Sequence, residues 1–502
     1  MDQFLFDNPV LIKHVRSRLR SPQGMYLVLV VGIVCCCIMW AGFGGLKFDE
    51  GIPFLLFFML QGVALHLAGT NQVATSIGQV SESGILDFHR ISPLPPSATA
   101  LGFMIGAPIR EYLVALLVVP FALIAALLGK PGLMGFLTTG LVLLSTTLLF
   151  HTLAMTSGLI ASRGKTRRTN FGIGAFVLFS MFSATSLQAG LPIPAMLTAG
   201  PAVYEAMGWI KVNRGAGALI NLPKFFGLDL PLFLQTLCYQ LPLIAFLAVP
   251  VVRRMQSAEV SLYSKRSAIG FLMAISILNM GGLVGQQQIQ AQWVVPILLY
   301  LNGAFSLFLT MAVTPNQGAF LNHLRRSNKQ GLTRSSLWAD DSSNRAAVLV
   351  LCIITYCTVQ FVETFANAGK VAGAAGVGNF DFLIPTITTL ATIAHFGFAA
   401  QLFRIRLGKS GNATLLVLLF LVWILPLLVS ALCSMTFGKD VAEFVLVISP
   451  LAGIAMKSIV SLGVSSGLAV LFFIGLLHEE RRQWTVIRAA GRIEEMTVAL
   501  ES

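Results

Sequence analysis

The stretch MYLVLVVGIVCCCIMWAGF, Met25 to Phe43, carries no charge and no proline, and as a helix it reaches the length of roughly 20 residues needed to cross a hydrocarbon core. LVALLVVPFALIAALL (Leu113 to Leu128) and LLVLLFLVWILPLLVSALC (Leu415 to Cys433) approach or match it. The rest of the chain agrees. Of 502 residues, 56% are hydrophobic and only 11% charged, against roughly 25% charged in a soluble domain, and the mean hydropathy is +0.80. A water-soluble fold of this make-up would lack the polar surface to cover itself. The expected class is therefore an all-α integral membrane protein with no soluble domain, surrounded by the lipid bilayer. The first run follows the basic stretch Lys13 to Arg20, but it is too long for the core of a signal peptide and has no small-x-small cleavage site, so it reads as the first membrane helix. All seven cysteines fall inside apolar runs and read as small core hydrophobes.

Hydrophobic runs place about twelve helices near residues 25–45, 53–77, 104–128, 133–160, 171–189, 230–252, 268–286, 293–313, 346–366, 381–403, 412–434 and 459–477. An even number returns both termini to one side. If that side is cytoplasmic, the N-terminal segment, the loops Arg163–Arg168, Arg253–Arg266, Arg325–Arg345 and Arg404–Lys409, and the basic tail hold most of the 34 Lys and Arg inside. Lys47, Lys130, Lys211, Arg214, Lys224, Lys370 and Lys439 fall outside. The positive-inside rule selects this orientation. The net charge of +13 is then topological, and no nucleic acid is expected as a partner.

The loops repeat a plan. Residues 1–253 run as a basic amphipathic segment, two helices, the loop Gly78–Ser97, two helices, a basic loop, one helix, a proline-bearing apolar segment (Leu191 to Leu197) and a last helix. Residues 254–502 run likewise, with the loop Thr314–Asn344 and the break Ile448-Ser449-Pro450 before the last helix. The expectation is two six-helix halves in the same sense, a parallel repeat. Each proline break frees backbone groups that must be buried in protein, as in a short re-entrant hairpin or a kinked helix.

In the first loop, Glu82, Leu86, Asp87, Phe88, His89 and Arg90 sit around Gly84 and Ile85, ahead of Pro93. A short surface helix over these residues presents an apolar knob beside charges, a docking element by its chemistry. The opening Asn8-Pro9 through Lys13 and Arg16, and the run Glu82-Ser83-Gly84-Ile85-Leu86-Asp87 to Ser92-Pro93-Leu94, resemble the N-terminal segment and coupling-loop signature of exporter-type ABC transporter permeases (the ABC-2 membrane family). His14, Ile85 and Gly102-Phe103 depart from the family pattern. The resemblance implies a permease subunit in a bacterial cytoplasmic (inner) membrane, whose loops dock a separate ABC ATPase and which moves an unidentified substrate outward. Arg325, Arg326 and Trp338 occupy the corresponding second loop.

No Gly-x-x-x-x-Gly-Lys-Ser/Thr occurs, so any ATP chemistry belongs to a partner, and the chain itself is expected to be no enzyme and to need no cofactor. No metal-ligand cluster, nucleophile elbow or carboxylate pair is evident. Ionisable groups inside apolar segments are functional candidates: Arg110, Glu111, Glu363 and His395. His66 with Thr70, Tyr356 with Gln360 and Glu363, and Thr388 with Thr392 and His395 keep helical spacing, suited to a polar path or to interhelical hydrogen bonds. Two other classes stay open: an ion-gradient-driven secondary transporter, and a polytopic enzyme acting on lipids.

Overall fold

Backbone N–H and C=O groups find no water inside a bilayer, so a chain this apolar must satisfy them within helices. The computed structural model describes residues 8–20, 23–45, 50–161, 195–208, 225–257, 260–283, 291–332, 336–368, 382–436 and 439–501. They are overwhelmingly helical, and no strand occurs among them. The protein is an all-α, multi-pass membrane protein. The chain divides into two compact units, Met1–Ala258 with Gly281–Gln286, and Glu259–Met280 with Gln287–Ser502.

The first unit opens with α1 (Pro9–Leu19) and α2 (Gln23–Met39), which runs into a π-helical turn at Trp40–Gly45. Next come α3 (Ile52–Glu82), with a second π turn at Val63–Gly69, the short α4 (Ile85–Ile91), α5 (Pro96–Gly106) and α6 (Ile109–Leu128). The unit closes with α7 (Gly132–Ala161), α8 (Gly200–Ala206) and α9 (Leu232–Gln256). Helix α9 packs along α7, α7 along α3, and α8 lies against α7 and α9.

The second unit contains α10 (Lys265–Leu283), α11 (Ala291–Val313), α12 (Gln317–Lys329), α13 (Arg345–Ala368) and α14 (Leu383–Leu407). It continues as α15 (Gly411–Leu419), a third π turn at Phe420–Ile424, α16 (Leu425–Thr436), α17 (Lys439–Leu446), α18 (Pro450–Met456) and α19 (Ile459–Glu501). Helix α14 is the most enclosed of the spans, packed by α11, α13, α18 and α19. Close approach there depends on Gly397, where a Cβ would lie 2.7 Å from Val348 Cγ2. Without a hydrophobic force between helices in lipid, such small-residue contacts supply the packing.

Among the described residues, eight helices are long and apolar enough to cross a membrane. The pair Leu298–Val313 and Gln317–Lys329, bent by 61°, would make nine if taken as one span. The sequence expectation of about twelve differs for identifiable reasons. The run near 171–189 and the prolines at 192 and 194 lie outside the described residues. The first run forms a shorter apolar helix, Val28–Gly44. Helix α10 is formed, and the described residues stop at Leu283, short of the expected end at 286. The run at 104–128 still supplies one span, α6, with its first residues in α5 ahead of a break at Ala107-Pro108. Helix α19 passes its expected end at 477 and makes a helix of the expected tail; its 43 residues measure about 65 Å, roughly twice a hydrocarbon core.

Buried polar groups hold described residues that precede the last helix of each unit. Gln240 of α9 donates to the Met196 carbonyl at 3.2 Å and to Thr146 Oγ1 at 3.0 Å. Ser449 donates to the Trp423 carbonyl at 2.8 Å, and its own carbonyl accepts from Ser461 of α19 at 3.4 Å. The seven residues of α8 and of α18 span only about 10 Å each, too short to cross. Lys457, just after α18, places its ammonium 5.3 Å from the Phe382 ring centre, a cation–π contact.

Candidate functional site

The loop after α3 folds as a rigid corner because glycine and proline punctuate it. Gly84 has φ +75, the left-handed conformation that ends α3 without strain, and α4 starts at the next residue. Pro93, which has no N–H to donate, bars continuation of α4 beyond Ile91, and Pro96 opens α5. Ser92 Oγ donates to the His89 carbonyl at 2.8 Å and caps the corner.

Helix α4 is split by environment. Leu86 is 2% exposed and packs with Val10, Ile77, Phe103, Met155 and Val251. Phe88 and Ile91 are 66% and 81% exposed. Arg90 fixes the helix to the end of α9: its Nε and a terminal nitrogen donate to the Arg254 carbonyl at 3.3 and 2.8 Å, and the guanidinium also pairs with Asp87. The exposed Asp87 side chain makes that pair worth little by itself. Its effect is to orient Arg90. Glu82 is exposed at the end of α3. The His89 ring meets Phe103 edge-on at 6.0 Å, and His14 of α1 meets the same ring at 5.2 Å. Burial, with Arg18, Lys13 and His89 close by, pushes the His14 imidazole down to about 4, and burial together with Lys13 also lowers His89.

Helix α1 is locked against this corner. Asn8 Oδ1 accepts from the backbone N–H groups of Val10 and Leu11 at 3.0 and 3.3 Å, an N-cap, while its Nδ2 donates to the Ala98 carbonyl at 2.7 Å. Gly102 and Gly106, one turn apart on α5, let α1 lie close: a Cβ on the first would sit 2.8 Å from Val10 Cβ, and on the second 2.9 Å from His14 Cβ. Gly102-Phe103 is thus part of the seat of α1. Arg110 Nε donates to the Arg18 carbonyl at 2.7 Å, closing the C-terminal end of α1. Its neighbour Glu111 has a buried carboxylate oxygen with no hydrogen-bond partner among the described residues.

The second loop is built differently. Helix α12 buries Phe320 and Leu324 against Phe396, Phe472 and Leu476, and leaves Arg325 and Arg326 exposed. Arg326 pairs with Asp341, and Trp338 is 48% exposed. Lys265 organises the segment. Its fully buried ammonium donates to the carbonyls of Leu337, Ser342 and Ser343 at 2.7, 3.3 and 2.7 Å, and to Ser342 Oγ at 2.6 Å. Burial pulls this amine down to about 8 despite the nearby Asp340, Glu480 and Asp341. Arg345 pairs with Glu480 of α19 at 2.7 Å.

The intramembrane candidates separate. Glu363 is buried and accepts from Gln360 at 3.4 Å, while Tyr356 on the same helix is exposed, so the three do not line one buried path. His395 accepts from Trp423 Nε1 at 3.5 Å, and Thr392 donates to Ser465. Sequence reasoning found His66 and missed its companions. His151 Nε2 donates to the Leu65 carbonyl at 3.1 Å, inside the π turn of α3, and in the neutral ring its Nδ1 accepts from Tyr112 Oη at 3.1 Å. A π turn leaves carbonyls out of register, and His151 satisfies one. The lone histidine in the apolar run of α7 was the available signal. Lys265 had no signal of its own within a basic stretch.

Among the described residues no group of His, Cys, Asp and Glu is arranged to hold a metal ion. Comparison with family models, with curated proteins and with solved structures finds no match to this chain.

Proposed function

We propose that the chain is the membrane-spanning permease subunit of an ATP-driven exporter, coupled through cytoplasmic loops to a separate ABC ATPase. The observation that carries this is the division of α4: Leu86 is driven into the core and Arg90 clasps the end of α9, while Phe88 and Ile91 stand exposed on a short rigid helix outside the spans. Apolar side chains held out on a stiff polar corner are suited to a cleft on a partner. A force applied at α4 reaches α1, α5 and α9 directly, which is what a coupling element requires.

A two-half, twelve-helix plan with both termini cytoplasmic fits the same proposal. Its support is the pairing of α7 with α9 and of α14 with α19, the short helices α8 and α18 lying against those pairs, and the hydrogen bonds from each last helix to residues that precede it. In this reading α12, braced by α19, is the second docking element, with Arg325 and Arg326 exposed on it and Trp338 exposed in the segment that follows. The test is purification of the full-length chain in mild detergent with its ATPase. Phe88→Asp with Ile91→Asp releases the ATPase while the melting temperature holds; full retention in that double variant refutes the docking assignment.

A further inference from the structure

Helix α1 carries three stripes, and the site described above uses one of them. At 100° per residue, Val10, His14, Leu11 and Arg18 share the face seated on α5 and α6. Ile12, Val15 and Leu19 follow round the helix as an apolar stripe, spaced i, i+3, i+7. Lys13, Arg16 and Arg20 come next with the same spacing, all exposed. Among the described residues none of these three cations has an ion pair, and α1 contains no acidic residue.

The level of α1 is fixed by its neighbours. The Arg18 carbonyl near its end is held by Arg110, in the first turn of the span α6, and α2 begins three residues after Arg20. The C-terminal end of α1 therefore lies where two apolar helices begin, which is the depth of the lipid headgroups. An apolar stripe beside a cationic stripe at that depth is the pattern of an interfacial helix, its carbon side chains against the acyl boundary and its cations against phosphates.

We infer that α1 is a binding surface for anionic phospholipid, with Lys13, Arg16 and Arg20 holding the headgroup phosphates and Ile12, Val15 and Leu19 covering the adjoining acyl chains. This rests on α1 and not on the presence of an ATPase. The occupant follows from charge complementarity and from continuity with the spans. Each cation near an anionic surface contributes roughly a fivefold gain, so three amount to on the order of a hundredfold.

The experiment uses the full-length chain, delipidated in neutral detergent and titrated with phosphatidylglycerol or phosphatidylcholine, with bound lipid counted by native mass spectrometry. The wild type binds phosphatidylglycerol in preference. Lys13→Gln with Arg16→Gln and Arg20→Gln weakens that binding on the order of a hundredfold at unchanged melting temperature, and the charge-conserving Arg16→Lys with Arg20→Lys retains it. Equal binding by the wild type and the triple variant overturns the inference. So does competition by millimolar inorganic phosphate as effective as the lipid, or a triple variant that keeps its phosphatidylglycerol and loses an acidic protein partner instead.

Discussion

Acidification should loosen α1 through His14. The ring is partly buried edge-on to Phe103, with the charges of Arg18 and Lys13 close by, and its folded-state value is about 4 against an ordinary 6.5. The folded value is the lower one, so the unfolded segment takes up the proton first. The stabilisation is complete above pH 6.5 and is lost as pH falls toward 4. At pH 5 the full shift corresponds to about 2 kcal/mol. The ring keeps part of its surface in solvent, and screening brings this to about 1 kcal/mol. Hydrogen exchange on the full-length chain in neutral detergent, corrected for intrinsic rates, should show amide protection in Ile12–Leu19 falling about fivefold between pH 7 and pH 5. His89 is lowered as well and acts in the same sense. His14→Phe with His89→Phe keeps the edge contacts and removes both titrations, so its protection should be flat across that range. An unchanged pH dependence in the double variant would refute the assignment.

Gly102→Ala sets a Cβ 2.8 Å from Val10 Cβ; overpacking of about 1–3 kcal/mol should lower the melting temperature and raise exchange in α1, while Gly78→Ala, with open space around it, should be silent in packing. Lys265→Met leaves the carbonyls of Leu337, Ser342 and Ser343 without their charged donor, costing about 3 kcal/mol; limited proteolysis should cut between 336 and 343 sooner, and Lys265→Arg should not rescue, since a planar guanidinium does not fit a nest shaped for an ammonium. Tyr112→Phe removes one hydrogen bond to His151 and should cost about 0.6 kcal/mol, whereas His151→Phe also strands the Leu65 carbonyl in the π turn and should lower the melting temperature further.

Membrane residence was legible because apolar runs such as Met25 to Phe43 admit no other solution. The end of α4 was legible too, since Pro93 and Gly84 act through local backbone geometry. The inward turn of Leu86 against the outward turn of Phe88 and Ile91 was not, because all three are apolar and only the packing of α1, α3, α5 and α9 distinguishes them. Arg90 reads in sequence as a charge offered to a partner, yet its guanidinium faces a carbonyl 164 residues away. Arg110, whose place at the start of an apolar run suits structural pairing with a neighbouring helix, closes α1 through the Arg18 carbonyl. Hydropathy could not foresee the continuation of α19, whose segment beyond 477 is polar on one side and packs Trp484 and Ile487 on the other.

The most direct test of coupling through α4 is site-specific photocrosslinking from position 88 in intact membranes, with and without ATP. The account predicts a crosslink to a P-loop ATPase whose yield changes with nucleotide, and its loss when Ile91→Asp is added. A partner at position 88 that is no ATPase, together with transport that persists after ATP depletion and collapses with a protonophore, would contradict it.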